Sequence, residues 1–211
     1  MNGSDLRRVS SRLSLKWLAG VTWTSLALAV FVPLSSAAAT APGKGMEKGA
    51  EVSRWPANQA APRLEATDLD GKLWRIQELR GRAVLLYFGS SACKPCRVDI
   101  QGLHKLAEIH DSQKLVILVI NVGESSATTA QYAREAALTL PVLPDASGAI
   151  AKTWGVTALP ATVLVAADGK PRQRIRGKVD WSSPQVAKLI ESLFRREKRL
   201  TRPPSNSPSK P

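Results

Sequence analysis

The stretch that decides the fold is AVLLYFGSSACKPCRVD, residues 83–99. It opens with an uninterrupted apolar run, Ala83 to Phe88, which predicts a buried strand. The run ends at Gly89-Ser90-Ser91, and Cys93-Lys94-Pro95-Cys96 follows directly. Beyond the cysteines, apolar residues recur at spacings of four and three, which is the period of one helix face. The stretch therefore predicts a strand, a short turn and a helix that begins at the cysteines.

The chain has two cysteines in 211 residues, too few for a disulfide scaffold. A Cys-x-x-Cys pair at the start of a helix is typical of a dithiol/disulfide redox site. Cys93 would lie where unpaired N–H groups and the helix dipole stabilise a thiolate, which suits an attacking thiol. Cys96, one turn later, would be more buried and would act as the resolving thiol. Lys94 adds a positive charge beside the thiolate, and Pro95 restricts the loop.

The first 39 residues have the pattern of an export signal. Basic residues at positions 7, 8, 12 and 16 precede an uncharged run from Trp17 to Leu34, and small residues follow at 35–39. Ala37-x-Ala39 fits a cleavage site, so we expect a cleaved signal peptide. An uncleaved membrane anchor remains the alternative, because 18 residues lie at the lower end of the ~17–25 that span a bilayer.

The rest of the chain divides by composition. Residues 40–62 are rich in Pro and Gly without a hydrophobic period, which predicts a flexible linker. Residues 63–199 carry the periodic segments and form the expected folded domain. Residues 200–211 are a Pro/Ser tail that we expect to be disordered. The net charge of +13 is spread along the chain and favours a solvated basic face or anionic lipid over nucleic acid.

Strand and helix signals alternate within the folded part. The predicted elements are a hairpin around Asp70-Gly71, strands at 83–88, 115–122 and 142–143, helices at 128–138 and 148–154, a second hairpin at 161–175, and a last helix capped by Ser183 and opened by Pro184. This order predicts an α/β sandwich with a mixed central β-sheet.

Over about residues 63–195 the chain resembles the TlpA/ResA-like thiol–disulfide oxidoreductases of the thioredoxin superfamily, in the AhpC/TSA-redoxin group. The resemblance rests on four segments: YFGSSACKPCRVD, LVILVINV, the run from LPVLPDASG to the final hairpin, and an amphipathic terminal helix. It implies a thioredoxin-like fold, a mixed sheet flanked by helices with an added N-terminal β-hairpin. It also implies a redox-active disulfide between Cys93 and Cys96, and no cofactor is expected.

The resemblance assigns roles to further residues. Pro160 would be cis and face the cysteines, so that Leu159 offers its backbone groups to a substrate strand. Related proteins often carry a glutamate at the position of Asp99, which is thought to move a proton at the cysteines. The alternative for Asp99 is a first-turn acid favoured by the helix dipole. Glu124 is another acid that could approach the site.

Three positions depart from the family pattern. Most relatives have Trp before the first cysteine and often a second aromatic after the strand Phe, whereas this chain has Ala92 and Gly89. The buried acid of thioredoxin itself would fall at Tyr87. We therefore expect a flatter site surface and a different proton route from that of a cytoplasmic thioredoxin.

The resemblance favours an exported thiol–disulfide oxidoreductase of the periplasm or cell envelope. Its partners would be protein thiols and disulfides, with a membrane electron donor possible. The reductase direction is preferred, with cytochrome c maturation as one setting.

Three alternatives remain. A peroxiredoxin-like peroxidase would use Ser90 where peroxiredoxins have Thr. The fold could instead serve a non-enzymatic binding protein. Metal handling is disfavoured, because the two histidines, His104 and His110, both precede the expected position of the third ligand.

Overall fold

The structure is a computed structural model that describes residues 50–194. The predicted signal or anchor (1–39), residues 40–49 of the predicted linker and the tail (200–211) lie outside the described residues. Within 50–194, no helix is both long and apolar enough to cross a bilayer.

The described chain forms a six-stranded mixed sheet and a separate two-stranded hairpin. Its strands are β1 (Glu51–Arg54), β2 (Glu65–Thr67), β3 (Leu73–Arg75), β4 (Ala83–Gly89), β5 (Leu115–Val122), β6 (Val142–Asp145), β7 (Ala161–Val165) and β8 (Pro171–Arg176). Its helices are α1 (Lys94–Ile109), α2 (Ser126–Glu135), α3 (Ala149–Thr153) and α4 (Pro184–Phe194), with a 3-10 turn at Ile76–Leu79. The sheet order is β1-β8-β7-β4-β5-β6, in which β4, β5 and β6 are parallel and the remaining pairings are antiparallel. The predicted mixed α/β fold and the added hairpin are confirmed.

The central strands β4 and β5 are apolar except for Asn121 because both faces of the sheet are covered. Every residue of β4 is buried, as are all residues of β5 except the last. One face packs against side chains of α1 and α4, including Leu103 and Ile190. The other face packs against the hairpin, the 3-10 turn and α3, including Trp74 and Trp154.

The predicted linker over 40–62 contains an ordered strand. Residues 51–54 form β1, which pairs antiparallel with β8 from Glu51↔Arg176 to Arg54↔Gln173. The next residue, Trp55, is only 7% exposed. A short edge strand held by backbone hydrogen bonds needs no alternation of apolar side chains, so its sequence carries no strand signal. The ordered domain therefore includes residues ahead of position 63.

Helix caps explain where two helices begin. The Ser125 hydroxyl accepts a hydrogen bond from the backbone N–H of Thr128 at 3.1 Å, so α2 starts two residues before the predicted start at 128. The Ser183 hydroxyl accepts one from the Val186 N–H at 3.3 Å, and Pro184 opens α4 as predicted.

Candidate active site

The two cysteines lie at the corner where β4 ends and α1 begins. Cys93 is the N-cap residue of α1, and its N–H donates to the Ser90 carbonyl at 3.2 Å. Cys93 and Cys96 form a disulfide with a Cα–Cα distance of 5.3 Å. Cys96 is only 1% exposed, whereas Cys93 is partly exposed. A partner molecule can therefore reach Cys93 more readily than Cys96. Lys94 and Pro95, between the two cysteines, are both exposed.

Gly89 leaves room for the disulfide. A Cβ at this position would lie 3.4 Å from the Sγ of Cys96 and 3.0 Å from the Tyr87 ring. A side chain at position 89 would therefore crowd the Tyr87 ring and lie in contact with the buried cysteine. Ala92, at the position of the family's Trp, is exposed, so its methyl group leaves this edge of the site open.

Asp99 lies beneath the cysteines and is only 2% exposed. The Tyr87 hydroxyl donates to its Oδ2 at 3.2 Å, and the backbone N–H of Val179 donates to its Oδ1 at 3.3 Å. Because α1 begins at Lys94, Asp99 lies beyond the first helical turn, so the alternative of a first-turn acid does not fit. Burial, and next the negative charge of Asp99, raise the pKa of Tyr87, so Tyr87 stays protonated and can donate this hydrogen bond.

A proline loop, residues 155–160, lies at the same end of the sheet. The peptide bond between Leu159 and Pro160 is cis. Ala161 pairs with Phe88, which places Pro160 beside Gly89 and thus near Cys96. Leu159 packs against the apolar cluster that contains Cys96. The structure thus brings together the cysteines, Asp99 and the proline loop that the sequence analysis singled out.

Glu124 holds the loop that precedes Cys93. Its carboxylate accepts hydrogen bonds from the Ser91 hydroxyl at 2.5 Å, from the Ser91 N–H at 3.1 Å and from the Asn121 side-chain amide at 2.6 Å. Burial raises the pKa of Glu124, but the hydrogen bonds from Ser91, Asn121 and the Ala92 backbone outweigh it, so the pKa lies below that of an ordinary glutamate. The sequence indicates that Glu124 can approach the site but gives no sign of this contact, since Ser91 and Glu124 are 33 residues apart.

The two histidines are engaged elsewhere. His104 Nε2 accepts from the backbone N–H of Thr139 at 3.4 Å, and His110 Nδ1 lies 3.0 Å from the Leu106 carbonyl oxygen. Among residues 50–194, no three His, Cys, Asp or Glu side chains are grouped to hold a metal ion. Ser90, the residue of the peroxidase alternative, is 9% exposed.

Comparison with known proteins agrees with this geometry. The AhpC/TSA family model matches residues 57–174, more than half of the chain, so the chain belongs to the AhpC/TSA family. Thiol-disulfide oxidoreductase ResA of Geobacillus thermodenitrificans is 33% identical over 133 residues, which cover 63% of this chain and 75% of ResA. ResA of Bacillus subtilis is 27% identical over 122 residues, covering 58% and 68%.

Solved structures show the same fold. A thiol:disulfide interchange protein of the thioredoxin family from Chlorobium tepidum has a TM-score of 0.58 at 20% identity, covering 65% of this chain and 97% of its own. A secreted Mycobacterium tuberculosis disulfide oxidoreductase has a TM-score of 0.53 at 21% identity, covering 61% and 95%. With the Cys-x-x-Cys disulfide, these findings identify the chain as a thioredoxin-like thiol–disulfide oxidoreductase.

We predict that Glu124→Gln loosens the loop before Cys93. At neutral pH the variant should lose about 1–2 kcal/mol of unfolding free energy, since hydrogen bonds to a charged acceptor are replaced by weaker ones. The contribution of the carboxylate is complete above the pKa of an ordinary glutamate and is lost as the pH falls through the lower folded-state pKa. Denaturant unfolding of the oxidised proteins should therefore show the two converging in acid.

The control for this experiment is Glu135→Gln. The Glu135 side chain is exposed and accepts a hydrogen bond from Gln131, one turn earlier on α2. We expect this variant to stay within about 0.5 kcal/mol of the parent at every pH. Equal losses in the two variants would contradict a special role for Glu124.

Proposed function

We propose that this protein is an extracytoplasmic reductase that passes electrons from its Cys93–Cys96 dithiol to disulfides of partner proteins. The observation that carries the exchange chemistry is the unequal exposure of the two bonded cysteines at the start of α1, with the proline loop beside them. The reductase direction rests on the resemblance, and the extracytoplasmic location on the pattern of residues 1–39. This arrangement supplies an accessible nucleophile, a shielded resolving thiol and a neighbouring edge for an extended peptide.

The exchange proceeds in two displacement steps. The Cys93 thiolate of the reduced protein attacks one sulfur of the partner disulfide, and the other partner sulfur leaves as a thiolate. Cys96 then loses its proton and attacks the Cys93 sulfur of the mixed disulfide, which releases the second partner thiolate. Two electrons pass to the partner, whose thiolates take up two protons, and the Cys93–Cys96 disulfide remains. Lys94 stabilises the thiolate form of Cys93, and Pro95 restricts the loop between the cysteines.

We assign Asp99 the acceptance of the Cys96 proton. It is buried on the same helix one turn beyond Cys96, and the Tyr87 hydroxyl fixes one of its oxygens. The Asp99 side chain is one methylene shorter than that of a glutamate. The hydrogen bond from Tyr87 on β4 holds its carboxylate in place.

Asp99→Asn should slow the second displacement about 100-fold and leave the first nearly unchanged, because a positioned base typically contributes 10²–10⁴. Rapid mixing of the reduced variant with a disulfide peptide should show the mixed disulfide accumulating before it decays. Equal slowing of both steps would assign Asp99 a purely structural role.

Cys96→Ala should trap partners covalently on Cys93, because the resolving thiol is gone. We expect a mixed disulfide of the purified, reduced variant with a disulfide-bonded peptide containing Cys-x-x-Cys-His, detected by its mass and abolished by a reductant. Cys93→Ala is the matched control and should form far less adduct, since Cys96 is buried. Full peptide reduction by Cys96→Ala without an adduct would contradict the mechanism.

The direction of electron flow is tested by the reduction potential of the pair. A reductase should equilibrate near the thioredoxin value of about −270 mV, whereas a strong oxidant lies near −120 mV. Equilibration with defined dithiothreitol ratios, followed by the mobility of alkylated protein, measures this value. A potential near −120 mV would overturn the reductase direction while leaving the exchange chemistry intact.

Export and cytochrome c maturation are parts of the same proposal. The basic start and apolar run of residues 1–39 support export, either as a cleaved signal or as an anchor that keeps the domain at the membrane. An oxidising envelope compartment is where apocytochrome thiols need a reductant. A membrane electron donor would then return electrons to the Cys93–Cys96 disulfide.

A further inference from the structure

Arg174 of β8 reaches across to the residue that precedes the proline loop. Its Nη2 donates to the Trp154 carbonyl at 2.9 Å. Trp154 ends α3, and Gly155 turns the chain with a φ of +66°. A Cβ on Gly155 would lie 2.7 Å from the same Nη2, so the guanidinium rests directly on the first residue of the loop. A cation at this place also satisfies a terminal helix carbonyl.

Trp55 packs on the other side of Arg174. The guanidinium carbon lies 4.9 Å from the centroid of the Trp55 ring, which in turn lies 5.8 Å from the Trp154 ring. Trp55 is itself fixed, because its indole N–H donates to the Gln59 carbonyl and its backbone N–H donates to the Arg172 carbonyl. Trp55 precedes the family match, which begins at residue 57, so this packing lies partly outside the shared family region.

Arg174 has these neighbours in place of an acidic partner. Among the described residues, no carboxylate forms an ion pair with Arg174, whereas Arg172 pairs with Asp168 and Arg176 with Glu51. The three arginines occupy alternate positions of one strand, and the Arg174 guanidinium contacts the start of the loop. Its charge is therefore directed to the Trp154 carbonyl and the Trp55 ring.

We propose that Trp55 and Arg174 are positioning residues that hold the proline loop in place for a polypeptide substrate. The inference rests on the proposed exchange of disulfides with partner proteins. A peptide must align its backbone with the loop while its sulfur meets Cys93, whereas a small disulfide needs only the sulfur. Loss of either side chain should therefore weaken the reaction with a peptide more than the reaction with a small disulfide.

The test compares two substrates for the full-length protein and its variants. The first is a disulfide-bonded peptide containing Cys-x-x-Cys-His, and the second is 5,5′-dithiobis(2-nitrobenzoate). For the pre-reduced Arg174→Met and Trp55→Leu variants, we expect the single-turnover rate constant at limiting peptide to fall about tenfold, mainly through weaker peptide binding, because misplaced substrate contacts cost this much or more. The rate with the small disulfide should stay within about twofold. Arg174→Lys retains the charge and should recover part of the loss.

Two matched controls separate positioning from stability. Arg172→Met makes the same change on the same strand but removes an ion pair with Asp168. Trp74→Leu removes a ring that is also 7% exposed and packs in the same cluster as Trp55, but lies in the hairpin. Both controls should lower the thermal midpoint without changing the ratio between the two substrates.

The outcomes are distinct. A changed substrate ratio in the Trp55 and Arg174 variants alone supports the proposal. The same ratio in all variants overturns it, even if every variant is less stable. Should Arg174→Met fail to fold, Arg174→Lys and Trp55→Leu give the same comparison. A parent protein that reacts with the small disulfide but not with the peptide would instead refute the proposed function.

Discussion

The structure depends on the corner at which the fully buried strand β4 ends and helix α1 begins. Because β4 is covered on both faces, its end at Gly89 is fixed, and the first turn of α1 must form directly against it. Cys96 then points into the core beneath Gly89, while Cys93 stays at the helix start. The position of β4 therefore makes the Cys93 sulfur more accessible to a partner than the Cys96 sulfur, and the other residues of the site lie around this pair.

The same corner also requires buried polar groups, which are costly unless they are hydrogen-bonded. Asp99 and Tyr87 satisfy one another below the disulfide, and Glu124 satisfies the N–H and hydroxyl of Ser91 above it. Tyr87 occupies the strand position at which thioredoxin has a buried acid. Asp99 is therefore the carboxylate that the described contacts place beneath the cysteines. The hydrogen bonds of Asp99 and those that hold Ser91 thus come from different residues.

Local signals account for the parts that the sequence predicted. Continuous apolar runs revealed β4 and β5, and Ser183 with Pro184 marked the start of α4. The resemblance, and not any local pattern, pointed to Pro160. What the sequence could not show are contacts between distant segments with no periodicity of their own, such as Ser91 with Glu124 or Trp55 with Arg174. These contacts depend on the tertiary fold, which brings the segments together.

The edge strand β1, which the sequence did not predict, shows why a domain boundary drawn from composition can be wrong. Residues 51–54 look like a linker because their side chains are mostly exposed, yet their backbone covers the edge of β8 that would otherwise offer unpaired N–H and C=O groups. The strand also delivers Trp55 to Arg174, and through it to the proline loop. A domain boundary drawn at residue 63 would therefore remove a sheet edge and the Trp55 contact with Arg174 together. Residues 51–55 are therefore part of the folded domain, through the pairing of β1 with β8 and the packing of Trp55 on Arg174.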